Sequence, residues 1–342
     1  MNTDSRVLVI GDIILDKYIN GHYIQRVDDE GNNIFCEEEI IYKAGGAGNV
    51  VCNIAQSAIS TTLLGFLGTD MDSNRCRSIL KQSSVDTSML IIDCAWNIPI
   101  ITRYMDHNKQ IFRSDRETHI EINEYRTSSI IKALEENICN FNLILMVDYQ
   151  RGLLTADIIS EIMKLASQYK KKIIVDTKST QLAPFTGSYL IKMNHKELQR
   201  VTSIRCSSLD NIQKAAFQIM KQLQCQFFLT TWGKNGIILS SNKESSIYIE
   251  NKSKSPLVCT IGAGDTVTAY LLIGIENNLT LEHCLLLANA AAKYAVSRPM
   301  TTVLQDPLPN IQSLRKTVNF KYINKDGGIE YEQNGTWNQH WT

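Results

Sequence analysis

The chain has 342 residues, 44% of them hydrophobic and 20% charged, and its 35 Lys and Arg balance 35 Asp and Glu to a formal net charge of zero. This ordinary globular composition excludes a broad basic field for gripping nucleic acid or anionic membrane, so any anionic ligand must be held locally. No apolar run approaches the ~18 residues that span a bilayer, and the amino terminus MNTDSRVLVIGD lacks a basic segment followed by an apolar signal stretch, so a cytoplasmic protein is expected. In chain order, a strand-length apolar run at Val7 to Ile10 comes first, and others follow at Thr61 to Leu67, Leu143 to Val147, Lys172 to Val175 and Phe227 to Thr231. Between them lie helical periods, as in Ser128 to Ile138 (Ile130, Ile131, Leu134 and Ile138 on one side) and Ala156 to Ala166 (Ile158, Ile159, Ile162, Met163 and Ala166). Strand and helix in alternation predict an α/β fold with a mainly parallel sheet between helical layers. Tyr23 to Tyr42 and Pro99 to Arg116 break the alternation and read as extended hairpins outside the main sheet, placed to form a small lid over the carboxyl ends of its strands. The last third is helical, from Gly264 to Glu276 and Leu281 to Ser297, and from Val318 a polar, aromatic-dotted stretch without period reads as an appended tail or small hairpin. The nine cysteines, with no CxxC pair, are expected as reduced core thiols.

The strongest chemical signal is Thr260-Ile261-Gly262-Ala263-Gly264-Asp265 at the start of an apolar helix. Small residues there leave backbone N–H groups unblocked, and with the helix dipole they make an anion site suited to a phosphoryl group in flight. Asp265 stands beside it, able to take a proton from an attacking hydroxyl. A second glycine segment, Ala44-Gly45-Gly46-Ala47-Gly48-Asn49, opens the helix that starts at Val50. Gly46 and Gly48 imitate the start of a dinucleotide fingerprint, but Val51 stands where the third glycine would be and no acidic ribose ligand ends the next strand. The glycines more simply bring a helix terminus close to a polar ligand, with Asn49 offering donor and acceptor to hydroxyls. No GxxxxGK[ST] loop and no HRD or DFG element occurs.

Together these motifs resemble the ribokinase-like (PfkB) carbohydrate kinases, whose signatures are a GG-containing motif near the first helix and a GAGD motif in the last quarter. Asp16 in GDIILD, Asn194 and Glu197 as an NxxE pair, and TWGKNG from Thr231 to Gly236 are secondary matches. The segments GDIILDKY, FRSDRE, VDYQRGLL, VDTKST and ANAAAKYAV look most like the kinase module of heptose 7-phosphate kinases. That module is often fused to an adenylyltransferase with an HxGH signature; none occurs here, so a free-standing kinase is expected. The resemblance implies a three-layer α/β/α sandwich over residues 1–317 with a β lid at about 17–43 and 97–116, leaving 318–342 as a tail. It implies that Asp265 is the general base, that Gly262, Ala263 and Gly264 form the anion hole, and that Asp16, Gly45, Gly46 and Asn49 hold the sugar. It further implies that Asn194, Thr231, Gly233, Gly236 and Asn289 border ATP and that Glu197 organises Mg²⁺ through water. A sugar phosphate needs cationic partners, and Arg113 and Lys178, with Arg103 and Arg116, are the candidates. Lids of this family commonly clasp a second subunit, so a homodimer is expected.

Two departures bear on chemistry. Family members usually carry Asp where this chain has Cys259, which argues against a monovalent cation at that loop, and the proline-rich substrate loop of heptose kinases is replaced by Arg26 to Asn33. Arg298 and Pro299 also replace small residues near the nucleotide edge. The alternatives are a kinase of another sugar or nucleoside, a non-catalytic sugar or nucleotide sensor and, more remotely, an NAD-dependent oxidoreductase.

Overall fold

The structure, a computed structural model, describes residues 5–57, 59–107, 109–117, 121–252, 258–304, 310–324 and 329–331. Its elements in chain order are β1 (Arg6–Gly11), β2 (Ile13–Val27), β3 (Asn33–Gly46), α1 (Ala47–Ala55), β4 (Ser60–Leu67), α2 (Met71–Gln82), β5 (Leu90–Ile92), β6 (Ile100–Asp106) and β7 (Lys109–Arg116). There follow α3 (Glu124–Asn137), β8 (Leu143–Asp148), α4 (Ala156–Gln168), β9 (Lys172–Thr177), β10 (Leu190–Asn194), α5 (His195–Thr202), α6 (Leu209–Leu223), β11 (Phe227–Thr231), β12 (Gly236–Ser241) and β13 (Ser245–Asn251). The last are α7 (Ala263–Glu276), α8 (Leu281–Val296), α9 (Ile311–Arg315), β14 (Val318–Ile323) and β15 (Ile329–Tyr331).

An 11-stranded sheet runs β15-β14-β13-β12-β11-β10-β9-β8-β1-β4-β5. Its pairings from β5 to β11 are parallel, and β12 to β15 continue it antiparallel. The parallel strands are nearly continuous apolar runs because helices cover both faces: Val7 to Ile10 and Leu143 to Val147 are almost wholly buried. β1 lies between β4 and β8, so the chain reverses its direction of progress there, and open α/β sheets bind ligands at such a point, beyond the carboxyl ends of the strands.

Only Asp12 separates β1 from β2, and from there the chain leaves the main sheet. β2 and β3 join β6 and β7 in a separate 4-stranded sheet, order β3-β2-β6-β7, which is built from the two segments that the sequence sets outside the main sheet. In the β2–β3 turn the Asp28 carboxylate accepts the amides of Glu30 and Asn32 at 3.0 and 2.7 Å, a local Asx turn that takes the place of a proline-rich loop. The glycines of Gly46 and Gly48 follow a lid strand, not a central parallel one, so the dinucleotide-binding reading fails on topology.

Two expectations are refined or corrected. Of the two readings from Val318, appended tail or small hairpin, the structure has the hairpin β14–β15, and β14 also joins the main sheet through β13, from Asn251↔Val318 to Ser246↔Ile323, with Val318, Phe320 and Ile323 buried. The remainder of that segment, 325–328 and 332–342, lies outside the described residues. Cys139 is exposed, as are Cys36 and Cys94; the other cysteines are buried, and all are free thiols. Among the described residues no helix is long and apolar enough to cross a membrane.

Candidate active site

Helix caps set the site apart. The helices α2, α3, α4, α5, α6, α8 and α9 each have a side-chain N-cap, whereas α1 and α7, which begin at the two glycine motifs, have none. Orphan amides at a helix start need an acceptor, and at α7 the cap residue is Gly262 at φ 75°. A Cβ at Gly262 would lie 2.9 Å from Asn49 Nδ2, so the turn needs glycine for both conformation and space.

Asp265 sits in the first turn of α7 and is 4% exposed. Asn49 Nδ2 donates to its Oδ2 at 2.7 Å, and the Tyr149 hydroxyl donates to its Oδ1. Burial, and then the nearby Asp176 carboxylate, push the Asp265 carboxyl up to about 6, while the Tyr149 and Asn49 bonds and Lys192 pull the other way. A carboxyl poised there is a competent proton acceptor near neutral pH. Asn49, read as a sugar ligand, is thus engaged with Asp265.

Beneath the anion hole lies a buried charge cluster that the sequence reading did not single out. Lys192 on β10 and Asp176 on β9 face each other in register, with Nζ 3.0 and 2.8 Å from the carboxylate oxygens, and Thr268 Oγ1 donates to Asp176 at 2.5 Å. Burial opposes the charge on Lys192, but Asp176, Glu197 and Asp265 outweigh it and hold the amine above the ordinary lysine range. A Cβ at Gly264 would come within 3.1 Å of Lys192 Nζ, which places this ammonium directly behind the anion-hole backbone.

On the lid side, Asp16 is 5% exposed and receives Arg103 Nη2 and Thr301 Oγ1, each at 3.4 Å. Burial raises its carboxyl against the pull of Arg103. A Cβ at Gly45 would lie 2.7 Å from Asp16 Oδ2 and one at Gly46 would lie 2.5 Å from the Asp12 carbonyl, so the paired glycines let β3 pass tightly over the start of β2. The cationic candidates divide. Arg113 is held by Asp115 at 2.6 and 2.5 Å and Arg116 by Asp72 at 2.8 Å, while Lys178 Nζ lies 3.4 Å from the Tyr149 ring centroid. Burial lowers the Lys178 amine against the attraction of Asp265, Asp176 and Glu197.

Asn194, Thr231, Gly233, Gly236 and Asn289 all line one cavity of about 560 Å³, together with Ala263 and Gly264 of the anion hole. Lys196, Lys234 and Lys293 also line it and, among the described residues, no Asp or Glu does, in a chain of zero net charge. Asn289 Nδ2 donates to Asn251 Oδ1 at 2.9 Å across its wall. Glu197 is outside this lining: its Oε2 accepts the Asn194 amide at 2.7 Å in a capping box that starts α5. Among the described residues no group of three or more His, Cys, Asp or Glu forms a metal cage.

Comparison with known proteins agrees with this geometry. The model of the pfkB family carbohydrate kinase matches residues 4–307. The bifunctional protein HldE of Aliarcobacter butzleri is 29% identical over 335 residues, which are 95% of this chain and 68% of that protein. HldE of Desulfatibacillum aliphaticivorans is 27% identical over 300 residues, 87% of this chain and 61% of the relative. The chain thus spans roughly two thirds or less of these relatives. Among solved structures, phosphofructokinase-2 from Escherichia coli in complex with substrates and products aligns with a TM-score of 0.74 at 17% identity, covering 92% of this chain and 98% of that one. Arabidopsis thaliana ribokinase complexed with ribose and ATP aligns with 0.69 at 18% identity over the same shares, 92% and 98%. At those identities the solved structures show the fold, a ribokinase-like α/β/α sandwich. With the family match running through both glycine motifs, the chain belongs to the pfkB family of carbohydrate kinases.

Proposed function

We propose that the protein transfers the γ-phosphoryl group of ATP to a hydroxyl of a sugar phosphate, a heptose 7-phosphate. The observation that carries this reading is the juxtaposition at the start of α7. A buried, proton-accepting Asp265 adjoins uncapped amides, and these open onto a lysine-bearing cavity that, among the described residues, no acidic side chain lines. The heptose 7-phosphate rests on the segments that resemble heptose kinases and on the HldE relatives.

In this reading the acceptor hydroxyl gives its proton to Asp265 as its oxygen attacks the γ-phosphorus in line. The α7 amides at Gly262 to Gly264 bind the equatorial oxygens, with Lys192 behind them reinforcing the positive field. Lys196, Lys234 and Lys293 face the nucleotide cavity and balance its charge. Asp16, positioned by Arg103 and Thr301, accepts a sugar hydroxyl. Asn194 and Glu197, which already cap α5 between them, would hold Mg²⁺ through water, and the ion would supply charge neutralisation on the phosphates.

The absence of an acidic residue at position 259 has a structural counterpart. The amides of Val258 and Cys259 both donate to the Val296 carbonyl, at 2.8 and 3.2 Å, so that oxygen is already satisfied by backbone. Replacing K⁺ by tetramethylammonium at constant ionic strength is expected to leave steady-state rates within about twofold. Several-fold K⁺ activation of the unmodified protein would refute this.

A homodimer through the lid is the second part of the proposal. Tyr23, Phe35, Tyr104 and Phe112, one from each lid strand, form a row with centroids 5.8, 5.7 and 5.8 Å apart, and Tyr23 and Phe112 are 46% and 59% exposed. Such an exposed aromatic row marks an interaction surface. Light scattering should give twice the chain mass for the parent and the single-chain mass for Phe112→Glu; a monomeric parent would reject the dimer.

The sugar assignment is tested by thermal shift with heptose, hexose and pentose phosphates in the presence of a non-hydrolysable ATP analogue. The true acceptor at 100 times its dissociation constant adds about 2.7 kcal/mol of stability. No shift with any heptose phosphate, beside a clear shift with another sugar, would replace the assignment.

A further inference from the structure

The carboxylate of Asp265 has both oxygens engaged, Oδ2 by Asn49 and Oδ1 by the Tyr149 hydroxyl. Each oxygen keeps a second lone pair, but Asp265 is 4% exposed, so an acceptor hydroxyl that surrenders its proton to this carboxylate competes with one of these two donors for room beside it. Asn49 is the less able to leave: it is 1% exposed, lies within α1, receives Asn53 Nδ2 on its own amide oxygen at 3.2 Å and packs against Gly262. Tyr149 stands on the segment after β8, outside any strand or helix, and its side chain is only partly buried. Its backbone is nevertheless anchored. The buried Asp12 carboxylate accepts the amides of Tyr149, Arg151 and Leu153 at 2.9, 3.0 and 3.2 Å. Only the side chain is left to move, and Lys178 holds the face of its ring at 3.4 Å, a cation–π contact.

We propose that Tyr149 is a plug on the catalytic base: its hydroxyl occupies the position of the acceptor hydroxyl, keeps water off Asp265, and withdraws only when a sugar competes for that oxygen. The inference rests on the reading of Asp265 as the base. A kinase with an open site hydrolyses its own ATP, because a water in the acceptor position passes its proton to Oδ1 while its oxygen bonds the γ-phosphorus and the bond to ADP breaks. With the phenol on Oδ1, water must compete with it for that oxygen. On Oδ1 the phenol is a donor, since burial and the Asp265 carboxylate hold it well above the ordinary tyrosine range. A sugar displaces it because a polyol held by several contacts at once competes at high effective concentration, which a lone water does not.

The test is Tyr149→Phe, which keeps the ring beneath Lys178 and deletes the hydroxyl. ATP hydrolysis without sugar should rise by about tenfold or more, a fraction of the 10²–10⁴ that a positioned base supplies. A second readout separates a plug from a structural prop. Asp265 is faced by Asp176 from β9, Lys192 from β10, Lys178 from the segment after β9 and Asn49 from α1, and the Tyr149 bond lowers its pKa. Losing that bond moves the acid limb of kcat/KM, which reports the free enzyme, to higher pH. The acid limb of kcat stays in place, because in the sugar complex Tyr149 has already left. Unchanged hydrolysis and coincident kcat/KM limbs in parent and variant would overturn the plug. Sugar-dependent ADP formation by the parent reports separately on the base: without it the reading of Asp265 itself fails, and with it only the plug is at stake.

Discussion

Asp265→Asn is expected to lower sugar-dependent turnover by about 10²–10⁴, the range for losing a positioned general base, while making the fold no less stable. The sign of the second effect follows from the pKa. Burial and Asp176 raise the carboxyl from 3.8 to about 6, so the folded protein prefers the protonated form. The stability this group contributes is complete below 3.8 and is lost as pH rises through about 6. Keeping Asp265 ionised at pH 7 costs on the order of 3 kcal/mol, at 1.36 kcal/mol per pKa unit, and Asn does not incur that cost. The parent's kcat/KM should correspondingly fall about tenfold per unit below pH 6 as the base protonates. Thermal denaturation and steady-state rates at pH 7 check both halves; near-normal turnover in the variant would remove Asp265 from the chemistry.

Lys192→Met should be the most destabilising of these substitutions. It leaves the Asp176 carboxylate buried with Thr268 as its remaining hydrogen-bond donor and with Asp265 nearby, and breaking a buried pair from one side costs about 3–5 kcal/mol. Turnover should fall by about 10²–10³ as the field behind the anion hole is lost. The double variant Lys192→Met with Asp176→Leu separates the two effects. Removing both charges recovers most of the stability, since Thr268 retains its bond to the Gly264 carbonyl at 3.1 Å, but not the activity. A urea midpoint for the single variant equal to the parent's would show that the pair does not matter to the fold.

These residues also mark where sequence reading succeeds and where it stops. The uncapped helix start proposed as the anion hole was legible because its parts are adjacent: glycines, alanine and Asp265 occupy one helix start, and the chemistry of a helix start depends on local backbone. That Asn194, Thr231, Gly233, Gly236 and Asn289 belong together was legible through the family motifs, and they do share one cavity, the proposed nucleotide site. Asp176 and Lys192 gave a weaker signal, each a charge near the end of an apolar strand, and only the pairing of β9 with β10 turns them into a buried ion pair. Tyr149 and Asp265 are separated by 116 positions, and nothing in either neighbourhood announces their bond. Asn49 was read as a sugar ligand, and its amide donates to Asp265, 216 positions away. The hairpin from Val318 was legible only as one of two readings, tail or hairpin, because VNFKYI is short and its inward residues find their core only against β13.

The most direct test of the account is phosphorus NMR of the purified protein with Mg·ATP and a heptose 7-phosphate. The account predicts a second phosphomonoester resonance on the sugar that grows in step with ADP and does not form with Asp265→Asn. Orthophosphate growing in step with ADP, or an unchanged spectrum beside active turnover of a different acceptor, would contradict it.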